Sequence, residues 1–180
     1  MNVIDDLIQR NKNFAANGFN SGLKMMPSMK TVVIGCVDPR VDPVDVLGLK
    51  HGEAAVIRNV GGRINPATLQ NMAVVRSVAE AQGKEMGPGW NLIVLHHTDC
   101  GITPCLQHAP ELLAKNLGVT VADLETLEIA DPYAAVALDV AAIKANLQLP
   151  ATFTVTGLVY DVATGLVQTV VAPSVLRPAV

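Results

Sequence analysis

Hydrophobic positions along the chain fall into two kinds of run. Short, uninterrupted, largely β-branched runs occur at Thr31 to Val37, Ala54 to Asn59 and Asn91 to His96. Each predicts a strand, and the first and third read as buried. Longer stretches space their apolar residues three or four apart and predict helices. Residues 3–16 set Val3, Ile4, Leu7, Ile8 and Phe14 toward one side and end at Asn17-Gly18. Residues 67–83 carry Met72, Val75, Val78 and Ala79 as a core-facing stripe. Asp131-Pro132, a capping residue followed by proline at the first helical position, opens a helix to about Leu147. Asp42-Pro43 opens a short helix through Leu47, Thr103-Pro104 begins another that Pro110 interrupts, and 121–129 reads as a third short one. Thr152 to Val162 and Leu166 to Val171 predict two late strands around the hairpin signal Ala163-Thr164-Gly165. The remaining segments, 19–30 and 83–89 among them, are rich in turn residues.

Alternation of strand and helix predicts an α/β fold with a mostly parallel central sheet flanked by helices. The 180 residues suggest one domain, 1–180, whose first helix is free to pack on a partner subunit. Half of the residues are hydrophobic but only six are aromatic, so the core is expected to consist of Val, Leu, Ile, Ala and Met. That much apolar content points to a large buried fraction, or to apolar surface covered between subunits. The net charge is −3 and the basic residues are scattered, which excludes the basic stripe of a nucleic-acid binder. No apolar run reaches membrane-spanning length, and Met1 to Arg10 lacks the basic start and apolar middle of a signal peptide. A cytoplasmic location is the expectation. Three cysteines, an odd count, argue against a disulfide framework.

In parallel sheets, sites collect beyond the carboxyl ends of the strands. Cys36 and Asp38 lie at the end of the first predicted strand, and His97 and Cys100 lie just beyond the third. Two thiolates and an imidazole suit zinc, and a three-ligand set leaves one tetrahedral position open for chemistry. Any one of these residues has a plainer role: a core cysteine, a hydrogen-bonded histidine, a helix-capping Asp38, a surface Arg40. Their joint placement at neighbouring strand ends is what points to a metal. Cys105 and His108 leave a closed four-ligand site open as an alternative.

Cys36-Val37-Asp38-Pro39-Arg40 and His97-Thr98-Asp99-Cys100-Gly101 resemble the paired C-x-D-x-R and H-x-x-C motifs of beta-class carbonic anhydrases. Ile57 to Arg63 is similar to a turn of that family, and Tyr160 to Gly165 to the closing hairpin of its short members. The resemblance implies zinc, one per chain, on Cys36, His97 and Cys100, with Asp38 and Arg40 as an adjacent catalytic dyad. It implies reversible hydration of carbon dioxide to bicarbonate by hydroxide at the zinc. Arg40 would hold Asp38 in an ion pair, and Asp38 is able to swing onto the metal and close the site. A homodimer or higher even-numbered oligomer is also implied.

Hydrolysis of carbonyl sulfide or carbon disulfide is the alternative activity, because short relatives use the same centre on those linear molecules. A non-catalytic zinc-stabilised binding module is a second alternative, opposed by the Asp38 and Arg40 pair. Asp99 is expected to brace its turn by side-chain bonds to backbone. Gly61 and Gly62 are expected to allow a close backbone approach or an ordinary turn. His51, His96 and His108 are candidates for moving protons to buffer, with packing or surface roles as the plainer account.

Overall fold

A computed structural model describes residues 2–178. Five strands form one sheet: β1 (Thr31–Cys36), β2 (Ala54–Asn59), β3 (Asn91–His97), β4 (Thr154–Asp161) and β5 (Leu166–Val175). Their order across the sheet is β2-β1-β3-β4-β5, with β5 antiparallel to β4 and every other pair parallel. All six residues of β1 are buried, as its central position and unbroken apolar sequence require. β2, at one edge, is half-buried along its whole length.

Among the described residues, six helices accompany the sheet: α1 (Val3–Asn17), α2 (Pro43–Val46), α3 (Pro66–Ala81), α4 (Cys105–His108), α5 (Pro110–Leu117) and α6 (Pro132–Ala145). The start signals act as expected. Asp131 accepts from the amides of Tyr133 and Ala134, and Asn65 caps α3. Pro110, without an amide hydrogen, ends one short helix and begins the next. The expected helix at 121–129 is a tighter 3₁₀ segment, Ala122–Leu127, which stops where Glu128 takes a left-handed backbone.

Two expectations need correction. The last strand was expected to end at Val171 but continues to Val175 through Pro173. Proline is tolerated there because β5 is an edge strand with one side free of the ladder. On α3, Met72 and Ala79 are buried, but Val75 and Val78 are 42% and 44% exposed. At about 100° per residue, Ala79 lies nearly over Met72, Val75 sits at the margin of that face, and Val78 points away from it.

The main core lies between the sheet and α3 and α6, centred on Ile34, Val94, Val136, Ile143, Phe153 and Val155. A smaller core, built on Ile102, Leu113, Leu117 and Ile129, supports the segments that follow β3. α1 has no buried residue.

The chain leaves β1 for β2 on one side, crosses back through α3 to β3, then moves on to β4. The direction of winding therefore reverses between β1 and β3, where α/β sheets open a crevice at their carboxyl ends. The turn after β2 closes the bottom of that crevice. Gly62 there has φ +66°, and an added Cβ would lie 3.1 Å from the Cys36 nitrogen, the Gly35 carbonyl carbon and the Leu95 oxygen. Gly83 has the same φ, +66°, with nothing within 4 Å. Gly62→Ala is expected to cost about 3 kcal/mol or more, and Gly83→Ala about 1 kcal/mol. Urea unfolding midpoints of the two variants check this, and equal midpoints would show that the close approach has no weight.

Candidate metal centre

β1 and β3 pair directly, with Gly35 opposite Leu95, so Cys36 and His97 stand at the ends of adjacent strands, one residue out of step. A tight turn at 98–101 then brings Cys100 back toward Cys36. The turn needs a left-handed residue, and Asp99 supplies it at φ +54°. One donor atom from each of Cys36, His97 and Cys100 lies within 4.8 Å of the others. Cys105 and His108, both on α4, are outside this group, so it is a three-residue set.

The geometry suits an ion. The two sulfurs are 3.8 Å apart, and a tetrahedral ion with metal–sulfur bonds of about 2.3 Å sets two sulfurs about 3.8 Å apart. His97 Nδ1 is 2.9 Å from the Thr98 carbonyl oxygen and donates to it, which leaves the Nε2 lone pair free. Among the described residues, His97 Nε2 is the one buried side-chain nitrogen or oxygen without a hydrogen-bond partner. A buried polar atom in that state costs free energy unless something binds it. The Cys36 thiol is pulled far below the usual thiol range, chiefly by the Cys100 thiol, with His97 and the Asp38 amide assisting against burial. Cys100 is pushed up by the same contact and by burial. A cation would remove the conflict by stabilising both thiolates.

Asp38 and Arg40 sit at the rim. Asp38 Oδ1 accepts from the Arg40 amide at 2.9 Å and from Nε at 3.0 Å, while Oδ2 accepts from Nη2 at 2.7 Å. Hydrogen bonding to this guanidinium holds the Asp38 carboxyl down at about 2. The ion pair is therefore complete above 3.8, the ordinary value, and is lost only as pH falls through about 2. Asp38 caps the short turn as well as facing Arg40, so the capping role and the dyad arrangement coexist.

Arg40 reaches further than expected. Its Nη1 donates to Asp99 Oδ2 at 2.8 Å and its Nη2 to the Asp99 carbonyl at 2.9 Å. Asp99 thus holds its turn through Arg40 and not through its own backbone bonds. Arg58 is a second tie that the motifs do not reveal. It donates to the carbonyls of Cys36 and Asp38, at 2.8 Å each, and pairs with Asp42. Of the other histidines, His51 packs edge-on against Phe14 with ring centres 5.6 Å apart, and His108 is exposed at the end of α4. His96 is buried, with Nε2 3.0 Å from Asp139. A cavity of about 370 Å³ adjoins the donors, with His97 and Cys100 in its polar wall and Ile102, Ile129 and Ala135 in its apolar one.

The family model for carbonic anhydrase matches residues 31–129. Beta-carbonic anhydrase 1 of Mycobacterium tuberculosis and of Mycobacterium bovis is 35% identical over 102 residues, 57% of this chain and 57% of that protein. The match therefore spans little more than half the length of those relatives. The crystal structure of carbonic anhydrase from Streptococcus mutans superimposes with a TM-score of 0.73 at 29% identity, over 94% of this chain and 98% of that one. A carbon disulfide hydrolase in its apo form shares the fold at 19% identity, with a TM-score of 0.58 over 92% of this chain and 88% of that one. With its matched segment running from β1 through the turn at 98–101 to residue 129, the chain belongs to the beta-class carbonic anhydrase family.

Proposed function

We propose that this protein is a zinc lyase that reversibly hydrates carbon dioxide to bicarbonate, with zinc on Cys36, His97 and Cys100. The observation that carries the reading is an unpartnered His97 Nε2 beside two cysteine sulfurs, at the rim of which an arginine tethers a carboxylate. When bound, zinc supplies a Lewis acid that lowers the pKa of water to about 7. The rest of the work falls to the chain. Ionised Asp38 accepts a hydrogen bond from the attacking oxygen and aims its lone pair at the carbon of carbon dioxide. A carbon–oxygen bond forms, bicarbonate leaves, and one proton passes to solvent. Arg40 keeps Asp38 turned toward that task and away from the metal donors, using a fork of donors that lysine lacks.

A second reading, hydrolysis of carbonyl sulfide or carbon disulfide, is favoured by one observation: the adjoining cavity has room and an apolar wall suited to a larger linear molecule. Carbon dioxide is preferred because hydration is the activity named for the relatives that match in sequence. Against a binding module without turnover stands the sequence match to carbonic anhydrases, since the Asp38 and Arg40 pair also has structural partners at the rim. We also propose a homodimer or higher even-numbered oligomer. Val3, Ile4, Leu7 and Ile8 on α1 are 50–69% exposed, an apolar stripe that a second copy would cover.

Elemental analysis is expected to find one zinc per chain, lost in Cys36→Ala, His97→Ala and Cys100→Ala. Full zinc in any of these would remove that residue from the ligand set. Arg40→Ala is expected to keep zinc and lose roughly 100-fold or more in kcat, and Arg40→Lys to recover little of it. Stopped-flow hydration of carbon dioxide, run beside sulfide release from carbonyl sulfide, tests both the dyad and the substrate. Rapid sulfide release with feeble hydration would transfer the assignment to the second reading. Light scattering should report at least twice the 18.9 kDa chain mass, and a stable monomer at micromolar concentration would end the oligomer proposal.

A further inference from the structure

A second cluster of ionisable side chains adjoins the donors, and two of its members, Arg63 and His96, line the same cavity as His97 and Cys100. Asp139, on α6, is at its centre. Its Oδ2 accepts from Arg63 Nε at 2.8 Å and from His96 Nε2 at 3.0 Å, and its Oδ1 accepts from Arg63 Nη2 at 3.3 Å. Arg63 Nη1 donates to the Leu127 carbonyl at 3.1 Å. The side chains of Arg63 and His96 are each 4% exposed and that of Asp139 is 7% exposed. Ion pairs at such depth seldom add net stability, since desolvation rivals attraction and apolar side chains of similar volume serve as well. The cluster therefore calls for a role other than holding the fold together.

Its connections supply one. Arg63 follows the Gly61-Gly62 turn, and Gly62 lies directly against the Cys36 backbone. The Arg63 amide and carbonyl are both held by the Asn59 side chain, at 2.9 and 2.7 Å, so the turn and the guanidinium move as one piece. His96 immediately precedes His97 on β3, and successive strand residues project to opposite faces. A ring anchored to α6 on one face fixes the backbone from which His97 projects on the other. One carboxylate thus holds the support behind Cys36 and the strand end that carries His97.

We infer that Asp139 is a positioning residue for the metal centre, acting through Arg63 and His96 to set the aim of the Cys36 and His97 donors. The inference rests on the reading of those donors as metal ligands. Groups that orient ligands from behind are commonly worth 10- to 100-fold in metal affinity or activity.

Cobalt(II) is the probe, because its visible absorption reports the geometry of its ligands. Asp139→Asn is expected to bind cobalt(II) with a changed spectrum and about 10- to 100-fold lower affinity in competition with a chelator. The double variant Arg63→Met with Asp139→Leu removes both charges together and is expected to recover part of the Tm lost in Asp139→Asn, short of the unaltered protein because His96 Nε2 and the Leu127 carbonyl lose their partners. Its cobalt(II) spectrum and affinity are expected to stay altered, because His96 has lost its anchor. An ion pair of purely structural role gives the opposite result, with spectrum and affinity returning as Tm returns. That outcome, or an unchanged spectrum and affinity in Asp139→Asn, overturns the inference. Should the double variant recover none of that Tm, the single variant decides alone. Absence of cobalt(II) binding by the unaltered protein would instead overturn the metal reading, and this inference with it.

Discussion

Cys36 and Cys100 are 64 positions apart in the chain and meet at 3.8 Å because β1 and β3 are hydrogen-bonded neighbours. That single pairing sets most of what surrounds the site. With that pairing, β2 lies outside β1 and α3 carries the chain back across the sheet. It also places Cys36 and His97 at the point where the winding reverses, where a crevice opens along the carboxyl edge. Because β1 is buried on both faces, its register is held by apolar packing as well as by the ladder. Cys36 therefore projects from the end of a strand held on both sides.

Three guanidinium groups secure the loops that emerge from this edge. Arg40 joins the segment after β1 to the turn after β3. Arg58 joins the end of β2 to the carbonyls of Cys36 and Asp38. Arg63 joins the turn after β2 to α6. Each uses several nitrogens on different partners, which a point-charged lysine does not do in one fixed plane. They differ in depth, from the half-exposed Arg40 to the buried Arg63, and so in how strongly water screens them.

Much of this arrangement was legible in the sequence, and the gaps have physical causes. β1 and β3 were readable because strands buried on both faces leave unbroken apolar runs. The donors were readable because they end those runs. The length of β5 was not, since Pro173 reads as a stop unless the strand is known to be at an edge. Val75 and Val78 were placed inside because helical spacing alone does not separate the centre of a face from its margin. The partners of Asp99 and Asp139 were out of reach, as each depends on contacts between distant segments. Asp139 did leave a trace: it is a lone acid in the otherwise apolar run Ala134 to Ile143, and a charge in that setting usually has a buried partner.

Asp99 shows what such contacts demand of the backbone. It is a non-glycine residue at φ +54°, a conformation that glycine would adopt with less strain. Glycine would bring no carboxylate for Arg40. The position therefore sets local comfort against precision at the rim of the site, and the residue present favours precision. A sequence chosen for thermal robustness alone would be drawn toward the other choice here, which makes this corner of the molecule a poor place to seek stability without loss.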